Sequence, residues 1–150
     1  MTSNVRWGIL ATGRIAQLFT EDLLLAGRKV AAVGSRSPQN AERFAAQCGI
    51  AKAYGGYEEL VADPDVDVIY VATPHPSHAG NAIAALEAGK HVLLKKPFTI
   101  NATEAERVVG LAKRKGLVVL EAMWTRLHPS ANPRLADEAT AGDTLRHVMT

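Results

Sequence analysis

Short apolar runs alternate with amphipathic stretches along most of this 150-residue chain. The apolar runs are rich in valine, isoleucine and leucine, which is typical of strands buried on both faces of a sheet. The stretches between them show the longer spacing of helices. The predicted strands are Val5–Leu10, Lys29–Ser35, Lys52–Tyr54, Val66–Ala72, His91–Leu94 and Leu117–Leu120.

Capping residues mark the ends of the predicted helices. Ser37 is a favourable N-cap with Pro38 at the first helical position, and Gly49 closes that helix. Asn101 opens another helix, with Glu104 three residues on as in a capping box. Gly116 ends the helix that Asn101 opens. Another helix is predicted to begin near Arg14, and a further one covers Ser77–Ala88 and stops at Gly89. Strict alternation of strands and helices predicts an α/β fold, a doubly wound parallel sheet with helices on both faces.

Charge and composition exclude several classes of protein. The 17 basic and 15 acidic residues leave a net charge of +2, without the clustered basic face typical of nucleic-acid binding. The apolar runs are far shorter than the roughly 20 residues of a membrane span, so neither nucleic acid nor membrane is an expected partner. Cys48 is the only cysteine, which excludes an internal disulfide and favours a reducing, cytoplasmic location.

The turn after the first strand is a candidate phosphate site. Ala11-Thr12-Gly13-Arg14-Ile15-Ala16 approximates the dinucleotide fingerprint Gly-x-Gly-x-x-Gly/Ala of Rossmann-type folds. Gly13 stands where the backbone must approach the pyrophosphate, and Ala16 lets the following helix pack closely. Because Ala11 replaces the first glycine, we expect a turn without positive φ. A purely structural turn is the alternative. The candidate contacts are Ala11, Thr12, Gly13, Arg14 and Ile15.

The residues after the second strand bear on the choice of cofactor. A site for NAD carries Asp or Glu there to bind the ribose hydroxyls, whereas this chain has Gly34-Ser35-Arg36-Ser37. Arg36 can pair with a 2′-phosphate or stack on adenine, and Ser35 can donate a hydrogen bond. We therefore expect NADP to be preferred, with NAD possible as a second cofactor. The alternative is that Arg36 is a solvated charge and that Ser37 only caps a helix.

Three segments resemble a known family. They are Val71-Ala72-Thr73-Pro74-His75-Pro76-Ser77-His78, then Ala88-Gly89-Lys90-His91-Val92-Leu93-Leu94-Lys95-Lys96-Pro97-Phe98, and Glu121-Ala122-Met123-Trp124-Thr125-Arg126. In this order they resemble the glucose–fructose oxidoreductase/inositol dehydrogenase family, and the third is most similar to its dihydrodiol dehydrogenase-like members. The resemblance covers essentially the whole chain and implies an NAD(P)-dependent oxidoreductase acting on sugar, cyclitol or dihydrodiol hydroxyls.

The resemblance implies a catalytic lysine at Lys96, beside the nicotinamide and the substrate hydroxyl. Lys96-Pro97 keeps the family's Lys-Pro, but Lys95 stands where the family has Glu, which puts the local ion pairing in doubt. An ammonium can stabilise the reacting oxygen as a proton moves. Two surface lysines at a strand end are the alternative. The Lys96–Pro97 peptide is a candidate for the cis form, since cis bonds are almost confined to X-Pro.

The same resemblance implies further cofactor contacts. Thr73 and Pro74 would lie along the ribose–nicotinamide side of the cofactor. His78 would either touch the cofactor or position its loop from the first turn of a helix. Trp124 would wall the nicotinamide pocket, unless it is ordinary core, and Arg126 would hold the cofactor.

No metal site is predicted. His75 and His78 supply two ligands without a third, which is too few for zinc. We expect His75 to be exposed.

The last part of the sequence departs from the alternating pattern. Pro129 and Pro133 interrupt it, a short helix is predicted near 132–141, and 144–150 alternates like the start of a strand. We therefore expect an NAD(P)-binding domain at 1–128, with 129–150 forming a connection and the start of a truncated substrate domain. Under this hypothesis the natural protein continues, binds a small-molecule substrate and can form homo-oligomers, whereas the isolated chain binds cofactor without turnover.

Two other interpretations of the chain stay open at this stage. The first is a non-enzymatic Rossmann module that senses nicotinamide redox state or regulates a partner. The second is a flavin- or nucleoside-binding protein of the same fold, which agrees less well with Arg36 and Lys96.

Overall fold

The computed structural model describes residues 5–123 as a parallel sheet with helices on both faces. The strands are β1 (Arg6–Leu10), β2 (Lys29–Gly34), β3 (Lys52–Tyr54), β4 (Val68–Val71), β5 (His91–Lys95) and β6 (Val119–Ala122). The helices are α1 (Arg14–Leu25), α2 (Pro38–Cys48), α3 (Tyr57–Ala62), α4 (His78–Glu87) and α5 (Ala102–Lys115), with a 3₁₀ helix at His75–Ser77. Every predicted strand is present, with ends that differ by no more than two residues.

The strand order is β3-β2-β1-β4-β5-β6, and every neighbouring pair is parallel. The chain first runs outward from β1 to β3 and then crosses to β4 on the other side of β1. The loops that follow β1 and β4 therefore leave the sheet in opposite directions, which opens a crevice at the carboxyl ends of these strands. The predicted doubly wound α/β fold is confirmed.

Each face of the sheet buries its own apolar cluster. On one face α3, α4 and α5 contribute the fully buried Leu60, Leu86 and Val108. On the other face α1 and α2 contribute Ala16 and Phe44. Ala16 has no exposed surface, so its small side chain sits at the contact between α1 and the sheet, as the fingerprint predicts.

The predicted caps of α2 and α5 are confirmed. The side chains of Ser37 and Asn101 each accept a hydrogen bond from a first-turn amide. Gly49 and Gly116 end the two helices with φ of 67° and 65°, which glycine adopts without strain. The Glu104 carboxylate reaches the amide one residue before Asn101, so the capping box is displaced by one position.

The sequence pattern does not predict α3, which has only six residues. Gly56 stands at its N-cap and has no side chain to mark the start of a helix. Leu60 of α3 packs so closely on β2 that a Cβ added to Gly34 would lie 3.0 Å from the Leu60 Cβ. The glycine at the end of β2 therefore makes room for α3.

A network of charged side chains lies at the amino ends of the strands, opposite the carboxyl edge. Arg6 donates to Asp67 from its backbone N and its guanidinium, with an Nη2–Oδ1 distance of 2.8 Å. These side-chain hydrogen bonds lower the pKa of Asp67 to about 2, against the effect of partial burial. Lys52 Nζ lies 3.0 Å from Asp63 Oδ1 and 2.7 Å from Asp65 Oδ2.

Asp63 is the buried member of this network, with 3% of its surface exposed. Burial would raise the pKa of Asp63, but hydrogen bonds from the Asp65 amide, Lys52 and Tyr54 outweigh that effect and lower it. Lys90 is also buried, and its Nζ donates to the Asp63 and Val66 carbonyls at 2.7 Å. The network thus fixes the loop before β4.

Within residues 5–123, no helix is both long and apolar enough to cross a membrane. The helix predicted near 132–141, the strand predicted at 144–150 and the domain boundary at 128 lie outside the residues that the structure describes.

Candidate functional site

A cleft of about 400 Å³ lies at the carboxyl edge of the sheet, beside the point where the strand order reverses. Its walls come from the turn after β1, the loop after β2, the start of α2, the start of α3 and the loop after β4. None of the described side chains that line it is acidic. They are Ala11, Thr12, Ser35, Arg36, Ser37, Asn40, Tyr57 and Pro74.

The turn after β1 differs from the sequence prediction at Ala11. Its φ is 99°, so the expectation of a turn without positive φ is wrong. The Ala11 amide donates to the Gly34 carbonyl at 3.0 Å, while the Ala72 amide donates to the Leu10 carbonyl at 3.0 Å. These bonds to β2 and to the end of β4 hold the backbone in a region that glycine prefers, although a methyl group is present.

Gly13 is the N-cap of α1 and leaves the first turn of the helix open. Gly13 has no side chain to cap the helix, and the first turn of α1 holds no acidic residue. A Cβ added at Gly13 would meet nothing within 4 Å among the described residues, so the backbone is accessible there. Arg14 and Ile15 follow on the exposed surface of α1. This is the arrangement in which a helix N-terminus can receive a phosphate.

The loop after β2 carries an exposed arginine between two serines. Ser35 is buried, and its Oγ accepts from the Ser37 amide at 3.2 Å and lies 3.5 Å from Thr12 Oγ1. The Ser37 hydroxyl caps α2 by accepting from the Asn40 amide, so the capping interpretation is correct for this residue. Arg36 lines the cleft, is exposed, and has no hydrogen-bond or ion-pair partner within 5–123.

The loop after β4 presents Pro74 to the cleft and keeps Thr73 buried. Pro74 is exposed, whereas Thr73 has 1% of its surface exposed. Asn81 Nδ2 donates to Thr73 Oγ1 at 3.0 Å. The Thr73 hydroxyl is thereby engaged inside the protein.

His78 is fully buried between two loops. Its Nδ1 lies 2.8 Å from the Pro97 carbonyl oxygen, and its Nε2 lies 3.0 Å from the Thr73 carbonyl oxygen. A neutral imidazole has one N–H and donates to one of these acceptors, whereas an imidazolium donates to both. In either form the two ring nitrogens face backbone carbonyl oxygens. The structure therefore places His78 between the two loops and not on the surface of the cleft.

His75 is half-buried, so the expectation that it is exposed is wrong. The 3₁₀ helix brings its ring edge-on to the His78 ring, with centroids 5.3 Å apart. Its Nε2 is buried and has no hydrogen-bond partner in the part of the chain that the structure describes. Among the residues that the structure covers, no group of three or more His, Cys, Asp and Glu side chains could hold a metal ion.

The turn after β5 carries Lys96. The Lys96–Pro97 peptide is cis, as predicted. Lys96 and Pro97 are exposed and Lys95 is half-buried, and neither lysine has a hydrogen-bond or ion-pair partner in the described range. The Phe98 amide donates to Glu121 Oε1 at 2.8 Å. No local pattern predicts this contact, because it joins residues 23 positions apart.

Four predicted site segments therefore meet at one edge of the sheet: the turn at 11–15, the loop at 35–37, the loop at 73–74 and the turn at 96–97. The first three share the cleft. Lys96 follows β5, which pairs with β4. Trp124 and Arg126 lie outside the described residues.

Comparison with known proteins gives consistent matches. A family model described as an oxidoreductase family with an NAD-binding Rossmann fold matches residues 5–123. The chain is 46% identical over 138 residues to D-xylose 1-dehydrogenase (NADP(+)) of Hypocrea jecorina, covering 83% of this chain and 35% of that protein. It is 42% identical over 144 residues to trans-1,2-dihydrobenzene-1,2-diol dehydrogenase of Bos taurus, covering 93% of this chain and 43% of that protein. The chain thus spans less than half the length of these curated relatives.

Among solved structures, a similar fold occurs in the 3-ketoreductase from Actinomadura kijaniata in complex with TDP-benzene and NADP. The TM-score is 0.79 and the sequence identity is 33%. The match covers 94% of this chain and 45% of the ketoreductase.

Proposed function

This chain belongs to the oxidoreductase family with an NAD-binding Rossmann fold, and on that premise we propose that it binds NADP(H) in the cleft at the carboxyl edge of its sheet. The observation that carries the proposal is the lining of that cleft, which among residues 5–123 contains an unpaired arginine and no carboxylate. Such a lining accommodates a phosphate better than a free ribose hydroxyl pair, for which an acidic partner is expected.

The turn at 11–15 fits the pyrophosphate. The accessible backbone at Gly13 and the uncapped first turn of α1 leave amide donors for the two phosphates. Thr12 adds a hydroxyl at the same wall of the cleft. Arg14 and Ile15 would contribute backbone amides, since they stand in the first turn of α1, where amides have no acceptor within the helix.

Arg36 would recognise the 2′-phosphate that distinguishes NADP from NAD. Its guanidinium is available for a charge-assisted bidentate contact. Ser35 supports the loop by accepting from the Ser37 amide. The relatives support this choice, because one is named as an NADP(+) enzyme and the ketoreductase structure contains NADP. NAD would bind more weakly in the same cleft.

For the whole protein we propose oxidation or reduction at a CH–OH group of a sugar, cyclitol or dihydrodiol. The nicotinamide, when bound, supplies or accepts the hydride. Lys96 would hold the substrate oxygen with its Nζ and move a proton there, which typically contributes about 10²–10⁴-fold in rate. The side chain of Lys96 suits this role, because it is exposed and has no partner among the residues that the structure describes. Pro74 and Pro97 would border the nicotinamide side of the site, with Thr73 holding the loop from within.

We further propose that 1–128 forms the cofactor domain and that 129–150 leads toward a substrate-binding domain. The family model that matches residues 5–123 supports this division, as does the coverage of only 35% and 43% of the two curated relatives. Trp124 and Arg126 are proposed to contact the cofactor near that boundary. Because positioning of the substrate can be worth roughly 7–11 kcal/mol, we expect the 150-residue chain to bind cofactor without turnover.

Cofactor preference tests the proposal. We expect fluorescence titration to show that NADPH binds more tightly than NADH. Arg36→Ala should reduce that difference by roughly 1–3 kcal/mol, the range for a lost charge-assisted hydrogen bond.

Arg28→Ala is the matched control, since Arg28 is also exposed but lies before β2, at the opposite edge of the sheet. It should leave both affinities unchanged. Equal affinity of the unmutated chain for NADPH and NADH would contradict the assignment of Arg36.

A further inference from the structure

Two side chains outside the cofactor cleft hold the turn that carries Lys96. His78 is the first residue of α4, and Glu121 lies in β6. His78 Nδ1 contacts the Pro97 carbonyl oxygen at 2.8 Å, and the Phe98 amide donates to Glu121 Oε1 at 2.8 Å. The two backbone groups that directly follow Lys96 are therefore fixed, one from the helix and one from the neighbouring strand.

His78 also joins this turn to the loop after β4. Its other ring nitrogen lies 3.0 Å from the Thr73 carbonyl oxygen, and Asn81 fixes the Thr73 hydroxyl from α4. His78 and Thr73 are shielded from solvent, with 0% and 1% of their surfaces exposed. The contact with Thr73 is buried and the contact with Pro97 is partly buried, so removing the ring would leave the carbonyl that receives its N–H without that donor.

We propose that His78 and Glu121 are positioning residues that set the direction of Lys96 toward the reacting oxygen. This inference rests on the role proposed above for Lys96. The Lys96 side chain is exposed and has no partner of its own among residues 5–123. The backbone from which it projects therefore determines where its ammonium can reach. A misplacement of about 1 Å can lower an enzymatic rate by about 100-fold.

The two contacts are not equivalent. Glu121 acts as an acceptor for a backbone amide, a task that a neutral amide oxygen can also perform. His78 faces two carbonyls from a buried position and donates to one of them when neutral or to both when charged, and no side chain of similar shape places a nitrogen at both sites. A conservative substitution at Glu121 should therefore preserve kcat, whereas no conservative substitution is available at His78.

The test uses the full-length protein and compares His78→Phe, Glu121→Leu and Lys96→Met with the unmutated enzyme. The measurements are kcat, the KM for cofactor and substrate, and the Kd for NADPH. We expect His78→Phe and Glu121→Leu to lower kcat by about 10–100-fold while the NADPH Kd changes by less than about threefold. Glu121→Gln should restore kcat to within about threefold of the unmutated value, because its amide oxygen still accepts from Phe98.

His91→Phe is the matched control for the histidine. His91 stands at the amino end of β5, where its Nδ1 accepts from the Val118 amide at 3.0 Å, on the edge of the sheet away from Lys96. This variant should leave kcat unchanged. If His78→Phe does not fold, the Glu121 pair of variants carries the test alone.

The outcomes separate this inference from the proposed function. Loss of turnover in Lys96→Met together with full kcat in Glu121→Leu would overturn the positioning role and leave the role of Lys96 intact. A raised KM for cofactor with unchanged kcat would also overturn it, because the contacts would then serve binding. Full turnover in Lys96→Met would instead refute the proposed function.

Discussion

Ala11 shows how a single residue can be held in a conformation that its type disfavours. Its φ of 99° would suit glycine, yet its methyl group is buried in the cluster beneath α1 and α2. A non-glycine residue in such a region costs about 1–3 kcal/mol. Hydrogen bonds on both sides of the turn maintain the conformation, and Ala11 lines the proposed cofactor cleft.

Ala11→Gly should therefore be neutral or stabilising. Relief of the backbone strain offsets both the lost methyl contact and the roughly 0.5–1 kcal/mol of extra backbone entropy that glycine carries. Ala72→Gly is the matched control, because Ala72 has similar burial in the same cluster but no positive φ. We expect that control to lose about 1 kcal/mol in urea unfolding. An Ala11→Gly protein that loses as much as the control would refute this account of the turn.

At the scale of elements, glycines decide how closely α3 and β2 approach. Gly34 faces Leu60, and an added Cβ would also lie 3.2 Å from the Gly56 carbonyl oxygen. Gly34→Ala should destabilise the fold by roughly 1–3 kcal/mol through overpacking. Gly80 lies within α4 with nothing within 4 Å of an added Cβ, so Gly80→Ala should stabilise by up to about 1 kcal/mol. Thermal unfolding of the two variants measures both effects, and a shift of the same sign in both would contradict the packing argument.

The sequence predicts the elements that have strong local signals. Apolar runs give all six described strands, and side-chain caps at Ser37 and Asn101 give the starts of α2 and α5. The helix α3 escapes prediction because it is short and begins at Gly56, which has no capping side chain. The positive φ of Ala11 is not predicted by the sequence, because hydrogen bonds to β2 and to the end of β4 impose that conformation.

The candidate site divides in the same way. Gly13, Arg36 and Lys96 stand at positions that the strand order brings to one edge, so their grouping follows from local patterns and topology. The contacts of His78 and Glu121 with the turn after β5 do not follow, since they join residues 19 and 23 positions apart. Such contacts require the three-dimensional packing of α4 and β6 against β5.

At the scale of the whole molecule, the two edges of the sheet carry different kinds of side-chain groups. The carboxyl edge holds the proposed cofactor cleft, whereas the amino edge holds the ion pairs of Arg6 and Lys52 with three aspartates. Those pairs join the start of β1, β3 and the loop before β4. We assign the amino edge to stability and the carboxyl edge to function.

This division predicts how stability depends on pH. The hydrogen bonds of Arg6 lower the folded-state pKa of Asp67 to about 2, below the ordinary value of 3.8. A depressed pKa means that the stabilising contribution is complete above the unfolded-state pKa and is lost as the pH falls toward 2. Asp63 and Asp65 are shifted in the same direction.

We therefore expect the free energy of unfolding to fall between about pH 4 and pH 2. Asp67→Asn should reduce that dependence, whereas Glu42→Gln, which changes an exposed carboxylate on α2, should not. Urea unfolding at a series of pH values makes the comparison. Identical pH profiles for Asp67→Asn and the unmutated chain would exclude this ion pair as a source of acid sensitivity.

The most direct test of the central claim is a crystal structure of this chain with NADP⁺. We expect the pyrophosphate at the first turn of α1 beside Gly13, the 2′-phosphate within hydrogen-bond distance of the Arg36 guanidinium, and the nicotinamide directed toward the turn at Lys96. Density for NADP⁺ at another place on the chain, or a 2′-phosphate that points away from Arg36, would contradict the assignment of this cleft as an NADP site.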